Sequence, residues 1–521
     1  MDQGVPLSTH PSSGLRAPDW MRRLRAWHDW PWDALLPVLA LALIAGALRL
    51  ALILRYPLLY DGDALGRWQE RGHPFASPWV PLFQLCVYAL TRLADAILAV
   101  QLLSAFFGAT ATLAFWLLLR RAFGPAAAYL GGLLLALDPL FVTFSIMPYQ
   151  EGLFLTLALL ALWLALAPGR PRWFWLALVL GLAALTRYEG WLLALLIWLL
   201  LLWRSRRAGT LRWRFAAGSA LALAWAPLLW IAVQRNVSPM GIQTLAPTLD
   251  PASLVMTLES LWPTWQLNLG IAGGALALGG LLWLGWQARR GSELAWLLLA
   301  FLAGDLLLLA FLRPFSLDNL RLPLLSLPVV LTGVAGLLVA AKPLASMETE
   351  GTRASDHPAG AGRKQQRLLR VGVLAALTAL ALLWYVPISA QRVAAYDALV
   401  QPAASAAGDL PRTLPHDAPI ALLGSNLETF AFHVYAVQAG WQGAFIDLDP
   451  TAASAPTTLA AALRATHARA LVIYGPAATS AGVRKLARAG LLLPVGNGPG
   501  YRIWLVEEAG NGSAPIFAGA G

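Results

Sequence analysis

Two carboxylates stand one residue apart in Tyr60-Asp61-Gly62-Asp63-Ala64, directly after the first long apolar run of the chain. A carboxylate at a membrane boundary is costly to keep and usually marks function. Held near a hydroxyl, it takes the proton that makes the oxygen a nucleophile. A second carboxylate beside it can orient the first or share a divalent cation through oxygen. The same loop, residues 55–94, also carries Arg67, Glu70, Arg71 and His73, followed by Pro78-Trp79-Val80-Pro81-Leu82-Phe83 at the start of an amphipathic or half-inserted helix.

Three further stretches place charge where lipid should begin. Glu151 lies in Met147-Pro148-Tyr149-Gln150-Glu151-Gly152-Leu153-Phe154, at the start of an apolar run. Arg187 and Glu189 lie in Leu185-Thr186-Arg187-Tyr188-Glu189-Gly190, between two short runs, where an Arg and a Glu at membrane depth tend to pair. Arg321 lies in Arg313-Pro314-Phe315-Ser316-Leu317-Asp318-Asn319-Leu320-Arg321-Leu322-Pro323. A guanidinium is a permanent, multidentate cation suited to a phosphate. The plainer alternatives stay open. Glu151 is also what a helix dipole favours in its first turn, the Arg187–Glu189 pair could simply shape a turn, and arginines also snorkel to headgroups.

The elements that must position these groups are membrane helices. Of 521 residues, 58% are hydrophobic and only 12% charged, against about 25% charged in soluble domains, and the mean hydropathy is +0.61. A net charge of +11 would suggest nucleic acid in a soluble protein; in a membrane protein it asks where the cations sit, and no nucleic-acid partner is expected. Cys86 is the single cysteine, so no internal disulfide or cysteine metal site forms. The first apolar run lacks a small-residue cleavage site, so no cleaved signal peptide is expected.

Runs of roughly 20 apolar residues cross a bilayer. Eleven spans are predicted, at 34–54, 95–119, 125–143, 150–167, 173–187, 190–203, 214–234, 267–287, 294–312, 322–341 and 370–389. Arginines and lysines gather in alternate loops: Arg16 to Arg25, Arg120 and Arg121, Arg170 and Arg172, Arg204 to Arg214, Arg289 and Arg290, and Lys342 to Arg370. The positive-inside rule makes these cytoplasmic. The N-terminus is then inside and the C-terminal segment outside, in a multi-pass cell-membrane protein. Arg67, Arg71, Arg187, Arg235, Arg313 and Arg321 go against this bias, as an outer anionic substrate would require.

The expected organisation is a cytoplasmic tail (1–33), a transmembrane domain (34–342), a flexible cytoplasmic loop (343–369), a last span (370–389) and an extracytoplasmic α/β domain (390–521). In the last of these, 419–424, 470–475 and 501–506 read as strands, the first two buried and parallel. Segments 426–439, 456–467 and 478–489 read as helices. Gly424-Ser425-Asn426 is either a phosphate-binding helix start or, more simply, a strand-to-helix turn.

Taken in order, the four charged stretches resemble the GT-C superfamily of polytopic glycosyltransferases, in particular the dolichyl-phosphate-mannose protein mannosyltransferase and lipid A aminoarabinose transferase type (glycosyltransferase family 39-like). Asp63-Ala64 resembles the acidic pair opening that family's first outer loop, and Trp79-Val80-Pro81-Leu82-Phe83 its Pro-Pro-Leu-Tyr stretch. Glu151-Gly152-Leu153-Phe154, Leu185-Thr186-Arg187-Tyr188-Glu189-Gly190 and a shortened Arg321-Leu322-Pro323 resemble its later motifs. Gly62 between the acids and the missing Tyr after Arg321 depart from the pattern.

The resemblance covers about residues 30–340. It implies an α-helical polytopic, GT-C-like enzyme: an inverting hexosyltransferase that moves a sugar from a polyprenyl-phosphate donor to an acceptor hydroxyl on a lipid, glycan or protein, at the outer face. Asp63 would be the base with Asp61 assisting. Arg187 and Arg321 would hold the leaving phosphate, with Glu151, Glu189, Arg67 and His73 about the substrate. No cofactor is implied as obligatory. If a divalent metal is used, Asp61, Asp63 and Glu151 offer oxygen ligands suited to Mg2+ or Mn2+. His73 is the lone outer histidine near the membrane, which argues against a histidine-rich zinc site. The rival classes are a secondary transporter, which calls for internal repeats and polar residues in broken helices, and a non-catalytic membrane assembly protein. Asp138 and Asp305 come nearest to buried acids.

Overall fold

A computed structural model of the chain describes residues 32–60, 62–75, 80–94, 96–167, 172–210, 212–237, 261–311, 322–340, 361–412, 414–475 and 480–507, with residues 255, 259 and 477. Asp61, Trp79, Arg313, Asp318, Arg321 and the 343–360 part of the predicted flexible loop lie outside the described residues.

The chain begins with α1 (Trp32–Arg55), followed by the eight-residue α2 (Gly62–Gln69), a 3-10 turn (Glu70–Gly72) and α3 (Leu82–Thr91). Then come α4 (Ile97–Leu137), α5 (Pro139–Ser145), α6 (Glu151–Ala165), α7 (Trp173–Ala184), α8 (Glu189–Arg207) and α9 (Trp213–Val237). After these, α10 (Gly270–Arg289), α11 (Glu293–Phe311), α12 (Leu327–Ala340) and α13 (Ala361–Asp409) complete the helical part. Among the described residues, five helical stretches are long and apolar enough to cross a membrane: Leu35–Arg55, Ile97–Leu137, Ala216–Val233, Gly270–Arg289 and Gly372–Arg412.

Helix α4 is two helices run together. Gly124 has φ 86°, and Pro125 restarts the helix behind it, since proline pre-sets φ for a first turn and needs no N–H partner there. The predicted span over 125–143 is cut again at Asp138, whose Oδ1 accepts from the Phe141 N–H at 2.8 Å and so caps α5, with Pro139 in first place. Helices α1 and α6 both pack on α4, and α10 packs on α12. Lipid offers helices no hydrophobic drive to associate, so close backbone approach and buried hydrogen bonds matter more. At the α4–α6 crossing a Cβ on Gly152 would stand 3.0 Å from the Gly108 nitrogen, and Thr110 and Thr156 hydroxyls meet at 3.1 Å.

The last helix of the bundle departs from its predicted bounds. Helix α13 runs 49 residues without a break through Pro387 and Pro402. Residues 361–369, read from sequence as loop, are its first turns, and its end at Asp409 reaches well past the predicted start of the α/β domain.

That domain has β1 (Ile420–Leu423), α14 (Asn426–Gln438), β2 (Phe445–Asp447), α15 (Pro456–Thr466), β3 (Ala470–Tyr474), α16 (Ala481–Arg488), β4 (Leu492–Gly498) and β5 (Tyr501–Val506). The sheet order is β2-β1-β3-β5-β4. β1 pairs in parallel with β2 and with β3, where Ile420 faces Ala470, and β5 runs antiparallel to β3 and β4. β1 and β3 are buried at every position. The helical bundle and the inner face of this sheet share one apolar core, which includes Leu59, Tyr60, Val400, Ile420 and Tyr435. A second cluster, with Leu423, Leu463 and Leu471, fills the outer face of the sheet.

Candidate active site

Helix α2 starts two residues after Tyr60 and carries Asp63 in its first turn, where the unpaired N–H groups of a helix favour a carboxylate. Ala64, Leu65 and Trp68 bury the far side of the helix. Asp63 and Arg67 are four residues apart and therefore share a face.

Arg67 is 1% exposed. Its Nη2 donates to Gln150 Oε1 at 2.8 Å, its guanidinium lies 5.8 Å from the centre of the Phe83 ring, and its carbonyl accepts from Gln84 Nε2 at 2.8 Å. Arg67 thus ties α2 to α3 and to the residue before Glu151.

Glu151, 1% exposed, opens α6 and forms an ion pair with Arg187 Nη1. Arg187 turns its other edge to Glu189, with Nε to Oε2 at 3.0 Å and Nη2 to Oε1 at 2.5 Å. A fork-on-carboxylate pair of this kind fixes both side chains in one plane. The turn that presents Arg187 sits between α7 and α8 and is anchored by the Leu82 N–H to the Leu185 carbonyl at 2.8 Å. Asp305 on α11 is 2% exposed. It lies near enough for the charges of Glu189 and Arg187 to act on it, and its Oδ1 has no hydrogen-bond partner among the described residues.

The structure therefore brings Arg67, Glu151, Arg187 and Glu189 into one connected region beside Asp63. His73 stands apart, exposed at the end of the 3-10 turn. Arg71 folds back on its own helix, 4.3 Å over the Trp68 ring. Among the described residues no three of His, Cys, Asp and Glu come together to hold a metal ion. Glu151 pairs through Oε1 with Arg187.

Sequence reasoning missed Arg49, which is fully buried in α1. Its Nε donates to Ser145 Oγ at 2.7 Å and its Nη1 to the carbonyls of Ala45 and Ala136 at 3.0 and 3.1 Å. An arginine in the middle of an apolar run was the available signal. Gly108 leaves room for it, because a Cβ there would stand 2.6 Å from Arg49 Nε.

The α/β domain closes over the start of α2. Tyr435 Oη accepts from the Leu59 N–H at 2.6 Å and donates to the Leu59 carbonyl at 3.2 Å. Burial pushes this phenol well above its ordinary pKa. The Tyr60 ring stacks on Tyr396 of α13 with centroids 5.3 Å apart, and its hydroxyl donates to the Thr143 carbonyl at 3.1 Å. At Gly424-Ser425-Asn426 the plain alternative holds. Ser425 and Glu428 form a capping box, with the Ser425 N–H donating to Glu428 Oε2 at 2.8 Å. The helix start is already filled by the chain's own carboxylate.

The family model described as dolichyl-phosphate-mannose-protein mannosyltransferase matches residues 73–231. ArnT from Cupriavidus metallidurans bound to undecaprenyl phosphate is 16% identical, with 94% of this chain and 98% of that chain covered and a TM-score of 0.55. The chain has the fold of ArnT. AglB, the archaeal oligosaccharyltransferase from Archaeoglobus fulgidus in complex with an inhibitory peptide and a dolichol-phosphate, shares it more distantly: 12% identity, 85% of this chain, 69% of that chain, TM-score 0.51. No curated protein sequence matches the chain significantly. The residues matched by the family model take in Glu151, Arg187 and Glu189 and stop short of Asp63 and Arg321.

Proposed function

We propose that this protein transfers a sugar from a polyprenyl-phosphate donor to an acceptor hydroxyl at the outer membrane face, with Asp63 as the base. The observation that carries the reading is the buried contact of Arg67, on the helix that bears Asp63, with Gln150, the residue before the Glu151 of the Glu151–Arg187–Glu189 cluster. Two proteins of the same fold carry undecaprenyl phosphate and dolichol-phosphate, which supports a lipid-linked phosphate donor.

In this scheme the acceptor O–H gives its proton to the Asp63 carboxylate while its oxygen bonds to the anomeric carbon. The bond from that carbon to the phosphate oxygen breaks, and the electron pair leaves on the polyprenyl phosphate. A single displacement inverts the anomeric centre. The leaving phosphate gains negative charge as the bond stretches, so a cation already in place lowers the barrier.

Arg67, buried on the face that carries Asp63, is assigned that charge together with Arg321. Arg187 commits three of its five N–H groups to Glu151 and Glu189. Its role is then to hold two carboxylates in place. The arginine asymmetry supports a cytoplasmic N-terminus and an extracytoplasmic α/β domain. If a divalent ion takes part, Asp61 and Asp63 are the ligands proposed for it.

The test incubates purified protein with a panel of radiolabelled polyprenyl-phosphate sugars and lipid, glycan and peptide acceptors. Label transferred by wild type and lost in Asp63→Asn supports the reading. No transfer from any polyprenyl-phosphate sugar, or undiminished transfer in Asp63→Asn, overturns it.

A further inference from the structure

A groove of about 500 Å³ opens between α1, α4 and α6, within the usual size range of small-molecule sites, about 300–1,000 Å³. It lies at the end of the bundle far from Asp63. Val38 is in the second turn of α1, whereas Arg55 at the other end leads into the candidate site. Arg120 stands more than six turns beyond Ile97 on α4, roughly 35 Å of helix rise.

The walls are Val38, Leu113 and Leu117, with Trp116 and Trp163. Two adjacent arginines edge the groove. Arg120 lies 4.9 Å over the Trp116 ring and Arg121 lies 5.2 Å over the Trp163 ring. Arg121 Nη1 also donates to the Trp163 carbonyl at 2.9 Å, which holds its guanidinium at the groove edge. Among the described residues, no acid lines the groove and neither arginine has a carboxylate partner. Arg204, at the same end of the bundle, differs on this point. It also donates to a main-chain carbonyl of α6, that of Ala165, but its charge is matched within the chain by Glu293. Among the described residues, no carboxylate matches the cations at the groove.

We infer that the groove holds one acidic glycerophospholipid of the surrounding bilayer, an acyl chain against Leu113 and Leu117 and the phosphate and anionic headgroup on Arg120 and Arg121. An apolar groove accepts an acyl chain, and two guanidiniums at its rim with no carboxylate partner among the described residues select an anion through charge-assisted hydrogen bonds. Basic pockets between membrane helices recognise lipid headgroups in this way. A neutral or zwitterionic lipid would fill the slot but leave the two charges unmet. The inference stands independently of the transfer reaction, because the groove and Asp63 are at opposite ends of the bundle.

The experiment is native mass spectrometry of the full chain in detergent, titrated with phosphatidylglycerol or phosphatidylcholine. Wild type should retain one phosphatidylglycerol in preference to phosphatidylcholine, and the preference should shrink as ionic strength rises. Arg120→Ala/Arg121→Ala should retain it roughly tenfold or more less well, at about fivefold for each basic side chain lost. The double Lys variant should keep most of the preference, and Arg207→Ala, which removes an exposed arginine stacked on Trp203, should keep all of it. Leu113→Trp, which fills the slot, should also lose the lipid. Equal retention of the two lipids by wild type, a preference indifferent to salt, or displacement of phosphatidylglycerol by an equimolar polyprenyl phosphate would overturn the inference. Sugar transfer should be unchanged in the groove variants, so the lipid readout and the transfer readout fail separately.

Discussion

The phenol of Tyr435 brackets the backbone of Leu59, accepting from its N–H and donating to its carbonyl. Leu59 is buried and lies four residues before Asp63. The α/β domain therefore sets the entry into α2 and is more than a cap. Tyr435→Phe leaves both backbone groups of a buried residue without that partner, at about 1–3 kcal/mol for each unsatisfied group. A lower melting temperature and slower sugar transfer are expected although Asp63 is untouched. Wild-type melting and wild-type transfer together would show that the contact does not position α2.

Arg187 separates the buried carboxylate of Glu151 from the half-buried one of Glu189. Removing it as Arg187→Ala leaves Glu151 and Glu189 facing each other with Asp305 nearby, and breaking a buried pair on one side costs about 3–5 kcal/mol. Arg187→Lys keeps the charge but loses the planar fork. The folded yield, read by size-exclusion chromatography, should fall in the order wild type, Arg187→Lys, Arg187→Ala. An Arg187→Ala protein as stable as wild type would mean that the cluster is not a structural unit.

How much of this was legible in the sequence depended on range. The alternation of the C-terminal segment was readable because β1 and β3 are unbroken runs of apolar or aromatic residues and β5 is one but for Arg502. β2 was missed because Phe445–Asp447 has only three residues, and β4 because Pro494, Gly496 and Gly498 read as turn. The last span is predicted to end at residue 389, yet α13 continues through Pro402 to Asp409, since packing against α5 and α14 outweighs local propensity. The charged motifs announced themselves one by one. Their partners did not: nothing local links Glu151 to Arg187, or Arg67 to Gln150, until the helices are folded side by side.

His433 offers a pH test of the domain on its own. Burial lowers its pKa from the ordinary 6.5, and Asp447, 3.3 Å away, acts the other way. The folded domain thus prefers neutral imidazole, while the unfolded chain protonates near 6.5. Stability from this group is fully present above the unfolded value and is lost as pH falls below it towards the folded one. Melting of the full chain at pH 8 and pH 5.5 should show a drop that shrinks in His433→Phe, which keeps an aromatic ring against Phe445. A pH dependence identical in the variant would assign the drop elsewhere.

Topology has its own check. The proposed topology, argued from the arginines that follow the apolar runs, has the α/β domain outside the cytoplasm. A reporter active only outside, fused after Val506, should be active. A silent fusion there, with an active cytoplasmic reporter, would reverse the bundle and put Asp63 on the wrong side.

The assignment of the base rests on Asp63 alone among the described acids of α2. Glu151 and Glu189 are held by Arg187 in the ion-paired cluster, whereas Asp63 stands at the start of α2. Asp63→Asn keeps the size and the helix position of the side chain but cannot take the proton. Transfer should fall by about 10²-fold or more, with folding and donor affinity kept. Arg67→Ala should instead weaken donor binding, since it removes the cation from the same face while leaving the base. Asp61→Asn should cost less than Asp63→Asn. Specific activity per folded molecule, together with donor affinity measured separately, distinguishes these outcomes. If Asp63→Asn transfers sugar at the wild-type rate, the proton goes elsewhere, and Glu151→Gln becomes the variant to measure.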